Sequence, residues 1–486
     1  VVLMPSDHVT VNQCAREIAR AINADKPRLF RRDKTVVTIE DGQFAPIQAI
    51  DFGSYVNHFC MTQKETGRGG PKRMTTSIAK EILACRDLDV PKVHSVYKSP
   101  IIVESDGVPR TITGYDEELE VYCFGDELES VGLDEAVEML LDLISEFEFT
   151  TPADKSRAVT MMFTPALKSG GHIPDFRTPI DVAESDKSQS GKGVRQQITA
   201  SIYGEDMGQI AMTSERAMRA EFDSHVIAGR SMIQIDNLRG KFGSQKLESF
   251  LTQRSYTARA AYTREVKVDP RRTVVMLTTN GAKLSKDLAN RSCFVRILKQ
   301  EGRRFRRFKE GSIIEFIEAN QSRYLGAIHA VVRAWIESGK QRTDTTEHDF
   351  VDWAQISDWI VQELFHLEPL LGGHKMTAER SSNKYQQWGR DVCVQVSEKK
   401  KLNRELSTSD ILEVIEDSEV ENPKPDDTSE DQGPTKREMG KRFRTMFDGQ
   451  DEWSVDRWIV TRRRKKIDTN MPYVYKFTIR TQAIAD

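Results

Sequence analysis

Between about Asp154 and Leu298, short apolar strand-like runs alternate with helical patterns. Strands that recur in this way with a helix between them pair in parallel and are covered on both faces, so the segment is read as an α/β core. Two of the runs end in polar residues instead of ordinary turn chemistry. RSMIQIDNLRG closes on Asp236 and Asn237, and RTVVMLTTNGAKLS closes on Thr279 and Asn280. A third, DLANRSCFVRI, carries Arg291 just ahead of its apolar part.

Upstream of these stands ESDKSQSGKGVRQQITASIYG, a polar loop that leads straight into a helical stretch, with Gly191 and Lys192 at the junction. Backbone N–H groups of such a loop, and of the helix start behind it, can cradle phosphates while a lysine reaches the β- and γ-phosphates. The candidates for that cradle are Ser188, Gln189, Ser190, Gly191, Lys192, Gly193 and Val194. ATP with Mg²⁺ is the ligand this chemistry suits. Asp236 is then placed to hold the metal, usually through water, and Asn280 to orient the attacking water. Arg291 is the candidate arginine finger for a neighbouring subunit's nucleotide. A lone Gly-Lys in a polar loop is commonplace, and so is one apolar strand ending in Asp. Four such elements in this order point to one nucleotide site. Two positions depart from the G-x-x-x-x-G-K-[ST] pattern: its first glycine is Asp186 here, and its metal-binding hydroxyl is replaced by Gly193.

The length of 486 residues suggests about three folded units at roughly 150 residues each. Charged residues make up 30% with a formal net charge of -3, so a polyanion would have to be bound by local patches. The six cysteines are scattered without a C-x-x-C pair, which argues against a zinc site or a disulfide framework and fits a reducing cytoplasm. No apolar run approaches the roughly 18 residues needed to cross a bilayer, and no signal peptide opens the chain. The first residues, VVLMPSDHVTVNQCAREIARAI, read as mid-domain sequence. That leaves room upstream for a further domain, with a primase domain or protein among the partners considered.

Along the chain, residues 1–150 read as an α+β unit with helices near Val9 to Ile22, Ile47 to Thr62 and Thr75 to Leu88. It includes a hairpin in RLFRRDKTVVTIE and a tight turn at Asp106-Gly107. Residues 151–300 are the α/β core and 301–400 are mainly helical, with Gly339 as a helix stop. Residues 401–433 form a linker region, partly acidic and mobile, and 434–486 a small basic unit with winged-helix character.

The order of motifs resembles the AAA+ helicase domains related to superfamily 3 and the poxvirus-type primase-helicases, found in replication proteins of phages, plasmids and integrative elements. The most specific stretch is LESFLTQRSYTARAAYTREVKV followed by VVMLTTNGAKLSKDLANRSCFVRI, similar to the family's Leu-Thr segment, hairpin Arg, T-x-N strand end and Asp-Leu-x-x-Arg. The resemblance implies an AAA+ P-loop core with an N-terminal α+β adaptor, a helical lid and a C-terminal winged helix, assembled as a ring expected to be hexameric. It assigns ATPase roles to Lys192, Asp236, Asn280 and Arg291. Arg323, Trp335 and Trp353 match the lid, where the tryptophans are read as core. Asn237 stands where many AAA+ enzymes carry a catalytic glutamate, which leaves Glu215 as a candidate partner for activating water.

Single-stranded DNA is expected at the hairpin from about Tyr256 to Lys267, with Arg259, Arg264 and Lys267 as phosphate contacts. The other reading of that segment is a solvated edge hairpin. In the C-terminal unit, Lys436, Arg437, Lys441, Arg442 and Arg444 lie on or beside a helix. Arg462, Arg463, Arg464, Lys465 and Lys466 fall in the wing, where duplex DNA is expected. Domain docking is the alternative there. The function expected is an ATP-dependent DNA helicase or translocase in replication of a mobile genetic element. A replication initiator or loader that uses nucleotide as a switch is the competing reading, and Gly193 and Asn237 favour it. A protein remodeller would carry aromatic pore residues without basic hairpins, and the segment from Arg259 to Lys267 counts against it.

Overall fold

The alternating apolar runs pair into one six-stranded sheet. Its strands are β1 (Glu148–Phe149), β2 (Ile180–Ser185), β3 (Gly208–Ala211), β4 (Met232–Leu238), β5 (Val274–Thr279) and β6 (Ser292–Leu298). Their spatial order is β1-β6-β2-β5-β4-β3. Strands β2 to β6 run parallel, and β1 closes one edge antiparallel to β6. Every residue of β2 and β5 is buried, as befits central strands covered on both faces. The computed structural model describes all residues except 65–69, 186–189, 212–213, 240, 260–264, 281, 300–306, 376, 379–383, 417–419, 421–434, 448, 456–457, 467–470 and 480–486.

Three helices belong to this core: α1 (Pro152–Ser169), α2 (Lys192–Ile202) and α3 (Glu215–Ile227). Helix α1 begins with a capping box between Thr151 and Asp154 and with Pro152 in its first turn, which satisfies orphan N–H groups at its start. After β2 the chain crosses to the far edge, returns inward through β3, β4 and β5, and then steps over β2 to form β6. Strand β2 is therefore a topological switch point. In open parallel sheets, ligands bind in the crevice beyond the carboxyl ends of strands at such a point.

Residues ahead of α1 form an α+β region. Helices Val11–Ile22, Ala49–Asn57 and Thr76–Ala84 share an apolar core that includes Ile18, Phe52 and Ile82. The hairpin Phe30–Arg32/Thr35–Glu40 turns at Asp33, and Ile101–Ser105/Val108–Ile112 turns at Asp106 and Gly107 with φ of 52 and 80. Positive φ at both central residues is the geometry an Asp-Gly pair suits. Helix Gln321–Glu337 packs against α1 and against that second hairpin. It ends where Gly339 takes φ 83, with its N–H on the Ile336 carbonyl and the Lys340 N–H on the Trp335 carbonyl. Trp335 and Trp353 are both buried, and Trp353 Nε1 donates to Thr164 Oγ1 at 3.1 Å.

The chain divides into two compact units. One comprises Val1–Arg239, Ser244–Gly281 and Arg291–Gly372, so the segment expected at 1–150 and most of those expected at 151–300 and 301–400 share a body. The other comprises Gly240–Gly243, Ala282–Asn290 and Gly373–Asp486. In this second unit lie α4 (Lys384–Glu398), β7 (Glu405–Ser407), α5 (Thr408–Glu416), α6 (Lys436–Phe447), β8 (Glu452–Val455), β9 (Trp458–Arg464) and β10 (Tyr473–Ile479). The antiparallel sheet has the order β7-β10-β9-β8. Residues 434–486, expected as the winged-helix segment, lie within this unit together with α4, β7 and α5. Trp388, Val392 and Val396 of α4 and Ile411 and Ile415 of α5 share one core with Phe443 and Phe477. An apolar helical stripe reveals that a face is buried and not which neighbour covers it, so the sequence of α4 suits a lid as readily as this core. Of the acidic tract, 417–419 and 421–434 lie outside the described residues.

Candidate functional site

At the carboxyl end of β2 the chain passes through 186–189, which lie outside the described residues and take Ser188 and Gln189 with them. Gly191 caps α2 with φ 89 and ψ 5, a left-handed conformation that glycine adopts without steric cost. Ser190 just before it is 9% exposed, and its Oγ has no hydrogen-bond partner among the described residues. Lys192 is the first residue of α2, and its Nζ donates to Asn280 Oδ1 at 2.6 Å. Ser185 Oγ donates to the same oxygen at 3.4 Å. Burial pulls the Lys192 ammonium below its usual range, Asp236 opposes that shift, and Arg239 adds to it.

Around this point opens a cleft of about 420 Å³, lined by Ser190, Gly191, Lys192, Gly193, Val194, Gln197, Asp236, Asn237 and Asn280. Residues far apart in sequence thus meet at the end of the switch-point strand. Gln197 is a member that sequence reasoning missed. A left-handed glycine, a helix N-terminus, a lysine and an orphaned buried hydroxyl suit a phosphate-bearing ligand. Asp236 is the one carboxylate among the described residues lining the cleft. No group of three or more His, Cys, Asp or Glu side chains among the described residues could hold a metal ion unaided. A divalent cation in this cleft would have to be held by Asp236, water and the oxygens of a phosphate ligand. A Cβ built on Gly193 meets nothing within 4 Å, so sterics do not account for the missing hydroxyl.

Asp236 and Asn237 are the exposed pair of an otherwise buried β4. Behind them Thr278 donates its hydroxyl to Asp236 Oδ1 at 2.5 Å and accepts the Asn237 N–H at 2.7 Å. Sequence reasoning missed Thr278 as well, because a buried threonine in an aliphatic strand reads as core. The usable signal was a Thr two residues before the strand-ending Asn. Beneath the cleft, Gln196 Nε2 donates to the carbonyls of Asp181 and Leu277 at 2.8 and 3.2 Å, and its Oε1 accepts from Gln234 at 2.8 Å. These bonds tie α2 to β2, β4 and β5. Arg195 pairs with Asp181 in full burial, and burial pushes the Asp181 carboxyl up while Arg195 opposes it.

Two other candidates lie outside the cleft. Arg291 precedes β6, its carbonyl accepts the Ile180 N–H at 2.9 Å, and its Nε lies 3.8 Å from Asp349. That is the amino end of the sheet. Glu215 is the first residue of α3 and pairs with Arg219 one turn on. It does not line the cleft.

Of the DNA candidates, Arg259 follows the first strand of the hairpin Tyr256–Ala258/Val266–Val268 and Lys267 lies in its second strand opposite Thr257, both exposed, whereas Arg264 lies outside the described residues. The hairpin base is anchored on α3: Tyr256 Oη donates to Asp223 Oδ1 at 2.5 Å and the Arg259 N–H to Asp223 Oδ2 at 3.0 Å. In the C-terminal unit Lys436, Arg437, Lys441 and Arg444 are exposed on α6, while Arg442 is buried with its guanidinium 5.5 Å over the Trp388 ring. The five wing cations are not equivalent. The Arg462 side chain is 7% exposed, its guanidinium lies 4.8 Å over both the Phe447 and Tyr473 rings, and its Nε donates to Asp451 at 3.2 Å. Arg463 and Lys465 both pair with Glu405, the latter at 2.8 Å. Arg464 and Lys466 are exposed without an ion pair among the described residues, and the Arg464 guanidinium lies 5.3 Å over the Tyr473 ring.

No protein-family model matches the chain, and no curated protein matches it. Among solved structures it is similar to the C-terminal region of NrS-1 in an apo form, at 12% identity over 78% of each chain with a TM-score of 0.42. It is also similar to SCCmec type IV Cch, described as an active helicase, at 10% identity over 93% of each chain with a TM-score of 0.39. JCV helicase matches at 11% identity over 43% of this chain and 66% of that chain, with a TM-score of 0.22. At these identities and TM-scores nothing about activity, substrate or assembly passes from those proteins to this chain.

Proposed function

We propose that the chain is an ATP-driven motor of the AAA+ type acting on DNA, a helicase or translocase in replication of a mobile genetic element. One observation carries this reading: Lys192, Asp236 and Asn280, from three separate segments, line one cleft at the carboxyl end of a switch-point strand. The backbone from Ser190 to Val194 would cradle phosphates, and Lys192 would neutralise the β- and γ-phosphates. Asp236 would hold Mg²⁺ through water, and Mg²⁺ when bound would spread the charge that develops on the transferred phosphoryl group. Asn280, already in contact with Lys192, would orient the attacking water. Arg291 would serve the nucleotide of the next subunit in a ring expected to be hexameric and cytoplasmic. No helix among the described residues is long and apolar enough to cross a membrane.

The order of elements in the C-terminal unit, helix, strand, two helices and three antiparallel strands, supports a winged helix that presents α6 and the β9–β10 hairpin to duplex DNA. The Tyr256–Val268 hairpin would contact the single strand, through Arg259, Arg264 and Lys267. The deciding experiment is steady-state ATP turnover with and without single-stranded DNA, in wild type and in Lys192→Ala. Turnover that rises with DNA and vanishes in the variant supports the motor.

A second reading is favoured by Gly193 and by Asn237, which together remove a metal-ligating hydroxyl and a water-activating carboxylate from the cleft. In it the protein is an initiator or loader that binds ATP as a switch. It predicts tight nucleotide binding with slow turnover that DNA does not accelerate.

A further inference from the structure

In β4 only Asp236 and Asn237 reach solvent, although they are successive residues that a regular pleat would send to opposite faces. The cause is local. Ile235 pairs with Leu277 and Leu238 pairs with Thr279, so two residues of β4 stand opposite the single Thr278 of β5. Such a bulge bends its strand and re-aims its side chains. Asn237 takes φ 51 within it, a left-handed conformation that Asn tolerates better than most residues. One hydroxyl fills the gap in the ladder: Thr278 Oγ1 accepts the Asn237 N–H and donates its only proton to Asp236 Oδ1. Thr278 itself is wholly buried, so its hydroxyl faces these two partners and not solvent.

We infer that Thr278 is the positioning residue of the cleft, its hydroxyl fixing the bulge and the Asp236 carboxylate together so that Asp236 meets a divalent cation already oriented. This rests on the nucleotide reading of the site. Oδ1 is tied to Thr278, while Oδ2 takes no hydrogen bond among the described residues and remains for the cation side. Outer-shell partners of this kind set the orientation and basicity of a ligating carboxylate, and their loss lowers metal affinity about tenfold to hundredfold. The same geometry accounts for Asn237. A glutamate at a left-handed φ would strain the bulge, so the position cannot carry a water-activating carboxylate at no cost to Asp236.

The test uses the whole chain and three variants. Thr278→Val keeps the side-chain shape and replaces the hydroxyl by a methyl, Thr278→Ala removes hydroxyl and methyl together, and Thr278→Ser retains the hydroxyl. Mn²⁺ binding in the presence of ADP is read from the loss of the free-ion EPR signal, and ADP binding without metal is measured in EDTA. Thr278→Val and Thr278→Ala should weaken Mn²⁺ binding about tenfold or more, with metal-free ADP affinity unchanged and Thr278→Ser close to wild type. Wild-type Mn²⁺ affinity in the Val and Ala variants overturns the inference. So does a Ser variant as weak as Val, or a parallel fall of metal-free ADP binding and melting temperature, which marks a purely structural threonine. Wild type that binds no ADP at all refutes the nucleotide reading itself, and is seen before any variant is made.

Discussion

Arg291 and Lys192 stand at opposite ends of one strand pair. The Arg291 carbonyl accepts the Ile180 N–H where β2 and β6 begin, whereas Lys192 follows the loop that leaves β2 after Ser185, five registered pairs further on. That separation is about 17 Å at the usual rise per residue, beyond the reach of a side chain. Arg291 therefore does not reach the cleft of its own chain, and in the proposed ring it would serve a neighbour's nucleotide. Arg291→Ala should bind ATP normally and lose turnover by about a thousandfold. Mixing it with Lys192→Ala should restore part of the activity, because a mixed ring contains interfaces with both groups intact. No recovery at any ratio would count against a shared site.

If Lys192 neutralises the transferred phosphoryl group as proposed, Lys192→Ala should lower ATP turnover about a hundredfold or more. Its ammonium contacts Asn280 and packs in no apolar core, so thermal stability should change little. Normal hydrolysis by this variant would remove the nucleotide assignment.

Gly193 and Asn237 are expected to respond oppositely to restoration of the residues found in the more common pattern. A side chain at Gly193 meets open space, so Gly193→Ser should fold normally and lower the Mg²⁺ concentration needed for half-maximal turnover several-fold, by roughly 1 kcal/mol of added binding. Asn237→Glu forces a long side chain into φ 51 and should lose about 1 kcal/mol of stability without a gain in rate. A faster Asn237→Glu enzyme would show that the bulge accommodates a catalytic carboxylate after all.

The wing cations should separate into two groups. Arg462 is held between Phe447 and Tyr473 and bonded to Asp451, so Arg462→Ala should destabilise the C-terminal unit by about 1–2 kcal/mol. Replacing Lys466 should leave melting unchanged, and replacing Arg464, exposed with its guanidinium 5.3 Å over the Tyr473 ring, should lower it less than Arg462→Ala; both should weaken duplex binding, reducing the salt slope by about one for each phosphate no longer neutralised. Arg463 and Lys465, engaged by Glu405, should contribute less to that slope. Affinity for duplex DNA measured at several salt concentrations checks this. A slope unchanged in the Arg464 and Lys466 variants would favour domain docking for the wing.

Lys168 supplies a pH signature. It is 4% exposed, its Nζ donates to Thr178 Oγ1 at 3.0 Å and to the Thr273 carbonyl at 2.7 Å, and burial pulls it down to about 7 against the opposing pull of Asp269. In the unfolded chain a lysine titrates near 10.4, so between about pH 7 and 10 the unfolded state holds a proton the folded state has released. Stability attributable to Lys168 should therefore rise with pH through that window, at up to about 1.4 kcal/mol per unit, and be flat below it. Chemical denaturation of wild type and Lys168→Met at several pH values isolates the effect. A pH-independent difference between the two would mean that Lys168 stays charged when folded.

The elements that sequence alone located are those defined by local pattern. Val11–Ile22, the Asp106-Gly107 turn and the Gly339 stop each follow from periodicity or from positive-φ chemistry that neighbouring residues dictate. Lys192, Asp236 and Asn280 could be picked out for the same reason, since each sits where an apolar run or helix pattern breaks. Tertiary structure alone decided what lies beside them. The strand order that sets β2 between β6 and β5 depends on long-range pairing, and it is that order which brings Lys192 to Asn280. Thr278 gains its meaning only opposite the Asp236 bulge, across two strands that nothing in their own composition pairs. The wing makes the same point with charge. Arg462, Arg463 and Lys465 look alike in TRRRKK, yet Asp451 and Glu405, brought in by the fold of the sheet, occupy all three. A sequence records which groups are charged or apolar; which of them are already satisfied is fixed by contacts between residues distant in the chain.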